Sequence, residues 1–184
     1  MRNDSAPPPG KELKYALVER ERRFLLAGPL AEPSIGVVAI TDRYLTGTRL
    51  RLRRSAAATQ QGEEVVSKLT QKIPSPGGGS GLITTIYLNE EEYRSLAVLP
   101  AAVLHKTRHS VPPLGIDVFD GHLSGLFMAE AEFPSDEEMV EFSPASFVIA
   151  EVTGDQRFTG GHLVTATRDD LAEALADYGL SLPG

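Results

Sequence analysis

Side chains of one character recur at every second position through much of this chain, and that is the spacing of one face of a β-strand. The sharpest case is Thr48-Arg49-Leu50-Arg51-Leu52-Arg53-Arg54, where Arg49, Arg51 and Arg53 share one face and Leu50 and Leu52 the other. One side of that strand must be covered by apolar packing, and the other is strongly positive. The same alternation predicts strands over 14–26 (Glu19, Glu21 and Arg23 on one face), 40–45, 64–73 (Lys68, Thr70, Lys72), 82–88 and 101–110 (Lys106, Arg108). It continues over a short strand and turn at 115–121, then over 126–133 (Glu130 and Glu132, with Ala129 and Ala131 behind them) and 147–152. The small, polar run from Ser55 to Gly62 reads as a surface loop.

Helical spacing is confined to three short segments. Asn89 caps a helix with acids in its first turn and Tyr93, Leu96 and Leu99 on its apolar side. Ser135 and Glu138 have the offset of a capping box for a helix through Phe142. A last helix, 169–178, has Leu171, Leu175 and Tyr178 in step, Thr167 as cap and Gly179 beyond it. Strands with hairpin-length joins and three short helices predict an all-β-dominated α+β fold, antiparallel, with helices packed outside. Residues 1–14, which include Pro7-Pro8-Pro9-Gly10, read as a loose leader, and 15–184 as one domain. The run Pro74 to Gly81 is a flexible hairpin or linker; it lacks the Lys-Thr signature and following helix of a phosphate loop.

Composition narrows the chemistry. A formal net charge of -7 speaks against a general nucleic-acid binder, whose footprint should be basic. With no cysteine, disulfides, thiolate zinc sites and cysteine nucleophiles are excluded. No apolar run approaches a membrane span and no signal-like segment opens the chain, so a cytoplasmic protein, monomer or homodimer, is the expectation. The four histidines follow no metal-ligand spacing.

What remains is the charge segregation itself. A solvated sheet face mixes its signs, whereas these strands divide into acidic and basic ones. Covering the apolar faces with the helices leaves the charges lining the inside of a closed or nearly closed barrel. Seven Lys and Arg side chains there repel one another unless a polyanion enters, and a small ligand with several phosphates fits that charge. Acids beside such a site imply divalent cations, Mg²⁺ or Mn²⁺, bridging carboxylate to phosphate.

The ordered set ERERRF, TRLRLRR, KLTQK, KTRH, IDVFDG, AEAEF and AEVTGD resembles the CYTH domain, the triphosphate tunnel metalloenzyme superfamily, over 19–163. The resemblance implies an eight-stranded antiparallel β-barrel tunnel that binds triphosphate-containing substrates and divalent metal. Glu19, Glu21 and Arg23 match the opening E-x-E-x-K motif with Arg in place of Lys; Glu130 and Glu132 match the second acidic pair, and Glu151 the acid before V-T. The glutamates are then the expected metal ligands, and Glu19, Glu21, Arg23, Glu130 and Glu132 the expected catalytic set. Arg49, Arg51, Lys72, Lys106 and Arg108 match phosphate-binding bases, Arg53 and Lys68 join them by parity, and Asp117 is expected to support a basic neighbour or water.

The strand 82–88 lacks the acidic pattern of many relatives, and its Thr85 and Tyr87 can only hydrogen-bond, which predicts a more basic site on that side. The expected activity is metal-dependent hydrolysis of a triphosphate, inorganic tripolyphosphate first. Thiamine or nucleoside triphosphate hydrolysis, ATP cyclisation, and polyphosphate or nucleotide binding without turnover are the alternatives.

Overall fold

The computed structural model describes residues 14–29, 33–73 and 81–183. The expected leader, but for its last residue, and the linker before Gly81 lie outside them. Ten strands are hydrogen-bonded into one sheet: β1 (Leu17–Glu19), β2 (Glu21–Leu26), β3 (Gly36–Leu45), β4 (Leu50–Thr59), β5 (Gly62–Ile73), β6 (Gly81–Leu88), β7 (Ala101–Val111), β8 (Leu114–Phe119), β9 (Phe127–Glu132) and β10 (Val148–Glu151). Four short helices accompany them: α1 (Glu90–Ala97), α2 (Asp136–Glu141), α3 (Gly160–Leu163) and α4 (Arg168–Ala176).

The sheet runs β1-β6-β5-β4-β3-β7-β8-β9-β2-β10, every neighbouring pair antiparallel. This corrects the expected eight-stranded barrel tunnel: the ladder has ten strands and two ends, β1 and β10, and is not closed. The break sits at Arg20. The run expected as one strand changes partner there, pairing through Leu17–Glu19 with β6 and through Glu21–Leu25 with β9. Arg20 itself leaves the ladder to donate from Nε to Asp136 Oδ1 at 2.7 Å. Because one stretch of chain serves both margins, the sheet curls, and Lys72 on β5 reaches Glu19 on β1 at 2.6 Å and Glu21 on β2 at 3.6 Å.

The segment expected as a loop after Ser55 is strand as far as Thr59. Its small residues pair with Val66, Val65, Glu64 and Glu63 of β5, and only Gln60 and Gln61 turn. Cross-strand partners here outweigh the weak strand propensity of alanine.

Two apolar clusters lie on opposite faces. On the convex side Phe24, Leu26, Leu114, Ile116, Ala129 and Ala131 pack with Phe133, Phe142 and Phe147 around α2, and α1 lies over β4, β5 and β6. On the concave side Leu25, Leu104, Phe119 and Met128 pack against Phe158, Leu163, Leu171 and Leu175. The four sheet residues have the same parity as the charged positions of their strands. The expectation that all helices pack outside is therefore corrected: α3 and α4 stopper one end of the charged face. Both long helices are fixed by capping boxes, Asn89 with Glu92 on α1 and Thr167 with Asp170 on α4.

Candidate functional site

Strand register brings most of the singled-out side chains onto the concave face. Glu21 lies opposite Glu132 and Arg23 opposite Glu130; Arg108 lies opposite Asp117, and Gly115 opposite Glu130. Farther along the strand order, on the same face, Arg53 is opposite Lys68 and Arg51 opposite Thr70, and these in turn lie opposite Tyr87 and Thr85 on β6.

Asp117 is fully buried and anchors one basic pair. It accepts from Lys106 Nζ and from Arg108 Nε at 2.7 Å and Nη2 at 2.6 Å. Arg108 Nη2 also donates to Glu130, and Lys106 Nζ stands 4.0 Å from the same carboxylate. Burial alone would push the Glu130 carboxyl up and weaken the charge on Arg108. The ion pairs prevail in both: Lys106 and Arg108 hold Glu130 well below the usual carboxylate range, and Asp117 with Glu130 raises Arg108. Gly115 makes this geometry possible, since a Cβ there would stand 3.0 Å from Arg108 Cδ.

Glu21 titrates above the ordinary carboxylate value, chiefly through burial; Lys72 opposes this, while Glu130 and Glu19 add to it. Glu132 is exposed and forms no ion pair with any described residue. Thr85 meets Thr70 at 3.1 Å between hydroxyls. Lys68 lies 5.0 Å from the centre of the Tyr87 ring, which is 70% exposed. Arg49 is half-buried immediately before β4.

Two expectations need correction. Glu151 lies away from the other glutamates: it is in register with Phe24 on the convex face, and Arg22 takes both its oxygens, Nε at 3.0 Å and Nη2 at 2.6 Å. Its carboxylate thus stands apart from the four glutamates of the concave face. Arg23 shares the concave face but is spent on structure, donating from Nη1 to Phe158 O at 2.8 Å and from Nη2 to Thr153 O at 2.6 Å. Its Nε stands 3.7 Å from Glu21, beyond hydrogen-bond reach. The wide fork that replaces a lysine ties β2 to the C-terminal segment.

Sequence reasoning missed Asp42 and Tyr44. Asp42, 1% exposed on β3, accepts from Arg53 Nε at 2.6 Å and Nη2 at 2.7 Å. Tyr44, half-buried, follows two residues on along the same face of β3, its hydroxyl pushed up to about 12 by desolvation and by the Asp42 charge. The sequence held only a faint signal: Asp42 and Tyr44 alternate, but it takes the register across the four-residue loop 46–49 to set them opposite Arg53 and Arg51.

Four carboxylates, Glu19, Glu21, Glu130 and Glu132, thus share one face, and they offer only the oxygen donors that hard divalent cations take. Among the described residues no three such groups converge into a ready metal cluster, because lysine and arginine hold Glu19 and Glu130. Burial first, and then the neighbouring Glu130 and Glu19 charges, raise Glu21, and a divalent cation would offset both, so the donor set fits one in chemistry and sign.

No family model matches the chain. It is 33% identical over 152 residues to the inorganic triphosphatase of Nitrosomonas europaea, an alignment covering 77% of this chain and 93% of that protein. Two crystal structures of NE1496, one described as an inorganic triphosphatase and the other as a hypothetical protein, superpose with TM-scores of 0.53 and 0.51. Their identities to this chain are 25% and 26%; the matches cover 82% and 81% of it and 96% and 99% of those chains. On the relative and the ordered motifs together, the chain belongs to the CYTH, or triphosphate tunnel metalloenzyme, superfamily, which is associated with divalent-metal-dependent catalysis.

Proposed function

We propose that the protein is a divalent-metal-dependent triphosphatase acting on the terminal phosphoryl group of a small triphosphate, inorganic tripolyphosphate before others, with Mg²⁺ or Mn²⁺. The observation that supports this most is the placement of four carboxylates and a row of lysines and arginines on one concave face, blocked at one end by α3 and α4.

In this reading the bases of β4, β5 and β7 neutralise the phosphate chain and hold it in line, and the stoppered end keeps water on one side of it. Glu19, Glu21, Glu130 and Glu132 are the residues that would hold the cation, which when bound supplies charge neutralisation at the phosphate oxygens and a more acidic water. Water attacks the terminal phosphorus, the bridging P–O bond breaks, pyrophosphate leaves, and a carboxylate not engaged with the cation takes the proton.

The test is a product assay across tripolyphosphate, thiamine triphosphate, ATP and longer polyphosphate, each with Mg²⁺ and with Mn²⁺. Orthophosphate and pyrophosphate from tripolyphosphate are expected. Cyclic AMP from ATP would support a cyclase instead, and tight calorimetric binding without turnover a sensor. Alanine at Glu130 or Glu132 should abolish metal-dependent turnover, and full activity in either variant would sink the assignment. The exposed Tyr87 ring beside Lys68 supports a second reading, a triphosphate with an aromatic head stacked there; preference for ATP or thiamine triphosphate in the same assay would select it.

A further inference from the structure

Two buried carboxylates organise the bases of the concave face in parallel ways. Asp117 on β8 serves Lys106 and Arg108, two residues apart on the adjoining β7. Asp42 on β3 stands in the same relation to Arg51 and Arg53 on the adjoining β4: it takes Arg53 through two hydrogen bonds, and Arg51 Nε lies 3.6 Å away. The two pairs feel one another, because β3 and β7 are neighbours in the sheet. The Lys106 charge acts on Asp42, and that of Arg108 on Arg53.

We propose that Asp42 is a positioning residue, which fixes Arg53 and draws Arg51 beside it by charge, as one half of a phosphate clamp whose other half, Lys106 and Arg108, is fixed by Asp117. Its charge also keeps that clamp from retaining the diphosphate product. The inference rests on the triphosphatase reading above.

The geometry carries both parts. A two-point hydrogen bond fixes the plane of a guanidinium as well as its position, so Arg53 presents only its remaining edge to a ligand. Four bases against three carboxylates, Asp42, Asp117 and Glu130, leave this part of the face with a formal excess of one positive charge, and asparagine at position 42 would make it two. Attraction to a polyphosphate in a half-buried site rises with each unit of charge, and it rises for the product as well as for the substrate. Asparagine would also leave Arg53 without its second acceptor, free to leave the productive plane.

The experiment measures kcat, KM for tripolyphosphate and the inhibition constant for pyrophosphate, with Mg²⁺, in the full chain and in the Asp42→Asn and Arg53→Lys variants. Circular dichroism and thermal melting report their folding. For Asp42→Asn, kcat should fall about tenfold or more while KM and the pyrophosphate constant both fall several-fold. Arg53→Lys keeps the charge but loses the fork, so kcat should fall with KM nearly constant and no tightening of pyrophosphate.

A purely structural Asp42 would lower the melting temperature and leave all three constants of the folded protein at wild-type values, which would overturn the proposal. If Asp42→Asn does not fold, wild-type kcat in Arg53→Lys overturns it equally. A wild-type protein that neither hydrolyses nor binds tripolyphosphate is a distinct result, and it removes the triphosphatase reading along with this one.

Discussion

Parity along a strand groups side chains reliably, but it does not say which face of the fold a group belongs to. Glu130 and Glu151 were both read as acids of the site, yet Glu130 meets Arg108 on the concave face while Glu151 meets Arg22 on the convex one. The difference is register: Glu151 pairs opposite Phe24, and Phe24 belongs to the outer cluster. Alanine at Glu151 should therefore leave metal-dependent turnover unchanged and cost at most about 1 kcal/mol of stability, since the Arg22–Glu151 pair is partly solvated. Loss of turnover in the folded variant would return Glu151 to the site. Asp42 went unread for the opposite reason. A single acid between Thr41 and Arg43 carries no pattern of its own, and only pairing with β4 shows that it faces Arg53.

Among the elements, helices were the most legible, because caps are local chemistry. Asn89, Ser135 and Thr167 each accept from the backbone N–H three residues on. Their destinations were not legible, and α3 was not read as a helix at all: α3 and α4 end up inside the curl, where Gly160 packs so closely on Tyr44 that a Cβ would stand 2.0 Å from its hydroxyl. The stopper has its own electrostatic latch. Asp155 accepts from the backbone N–H and the guanidinium of Arg157 and from the Tyr178 hydroxyl, and these hydrogen bonds, Arg157's foremost, hold its carboxyl down at about 2.

A carboxyl whose value is depressed on folding adds stability above its unfolded value, about 4, and loses it as pH falls through the folded one. Asp155→Asn should then be less stable near neutral pH by about 1 kcal/mol, a figure reduced for the solvation of the pair, with the gap shrinking below about pH 4 and closing only below about pH 2. Urea unfolding at several pH values measures this. A gap that persists at the acid end would mean that the carboxylate charge is not what holds the latch.

The whole molecule is acidic, net -7, yet its concave face gathers most of the bases singled out above. Attraction of a tripolyphosphate to that face is long-range and screened by salt, so KM for the substrate should rise several-fold between about 0.05 and 0.5 M inert salt with kcat little affected. A salt-independent KM would place substrate binding elsewhere. Among the described residues no helix is long and apolar enough to cross a membrane.

By itself the sequence determined which residues alternate, where the capped helices begin, and that acidic and basic side chains segregate onto different strands, because those follow from backbone periodicity and charge. The tertiary structure alone decided that the first strand breaks at Arg20 and leaves an open ten-stranded sheet, that Arg23 serves the C-terminal segment, and that Asp42 holds Arg53. Each of these depends on which strand lies beside which, and that is a property of contacts made far apart along the chain.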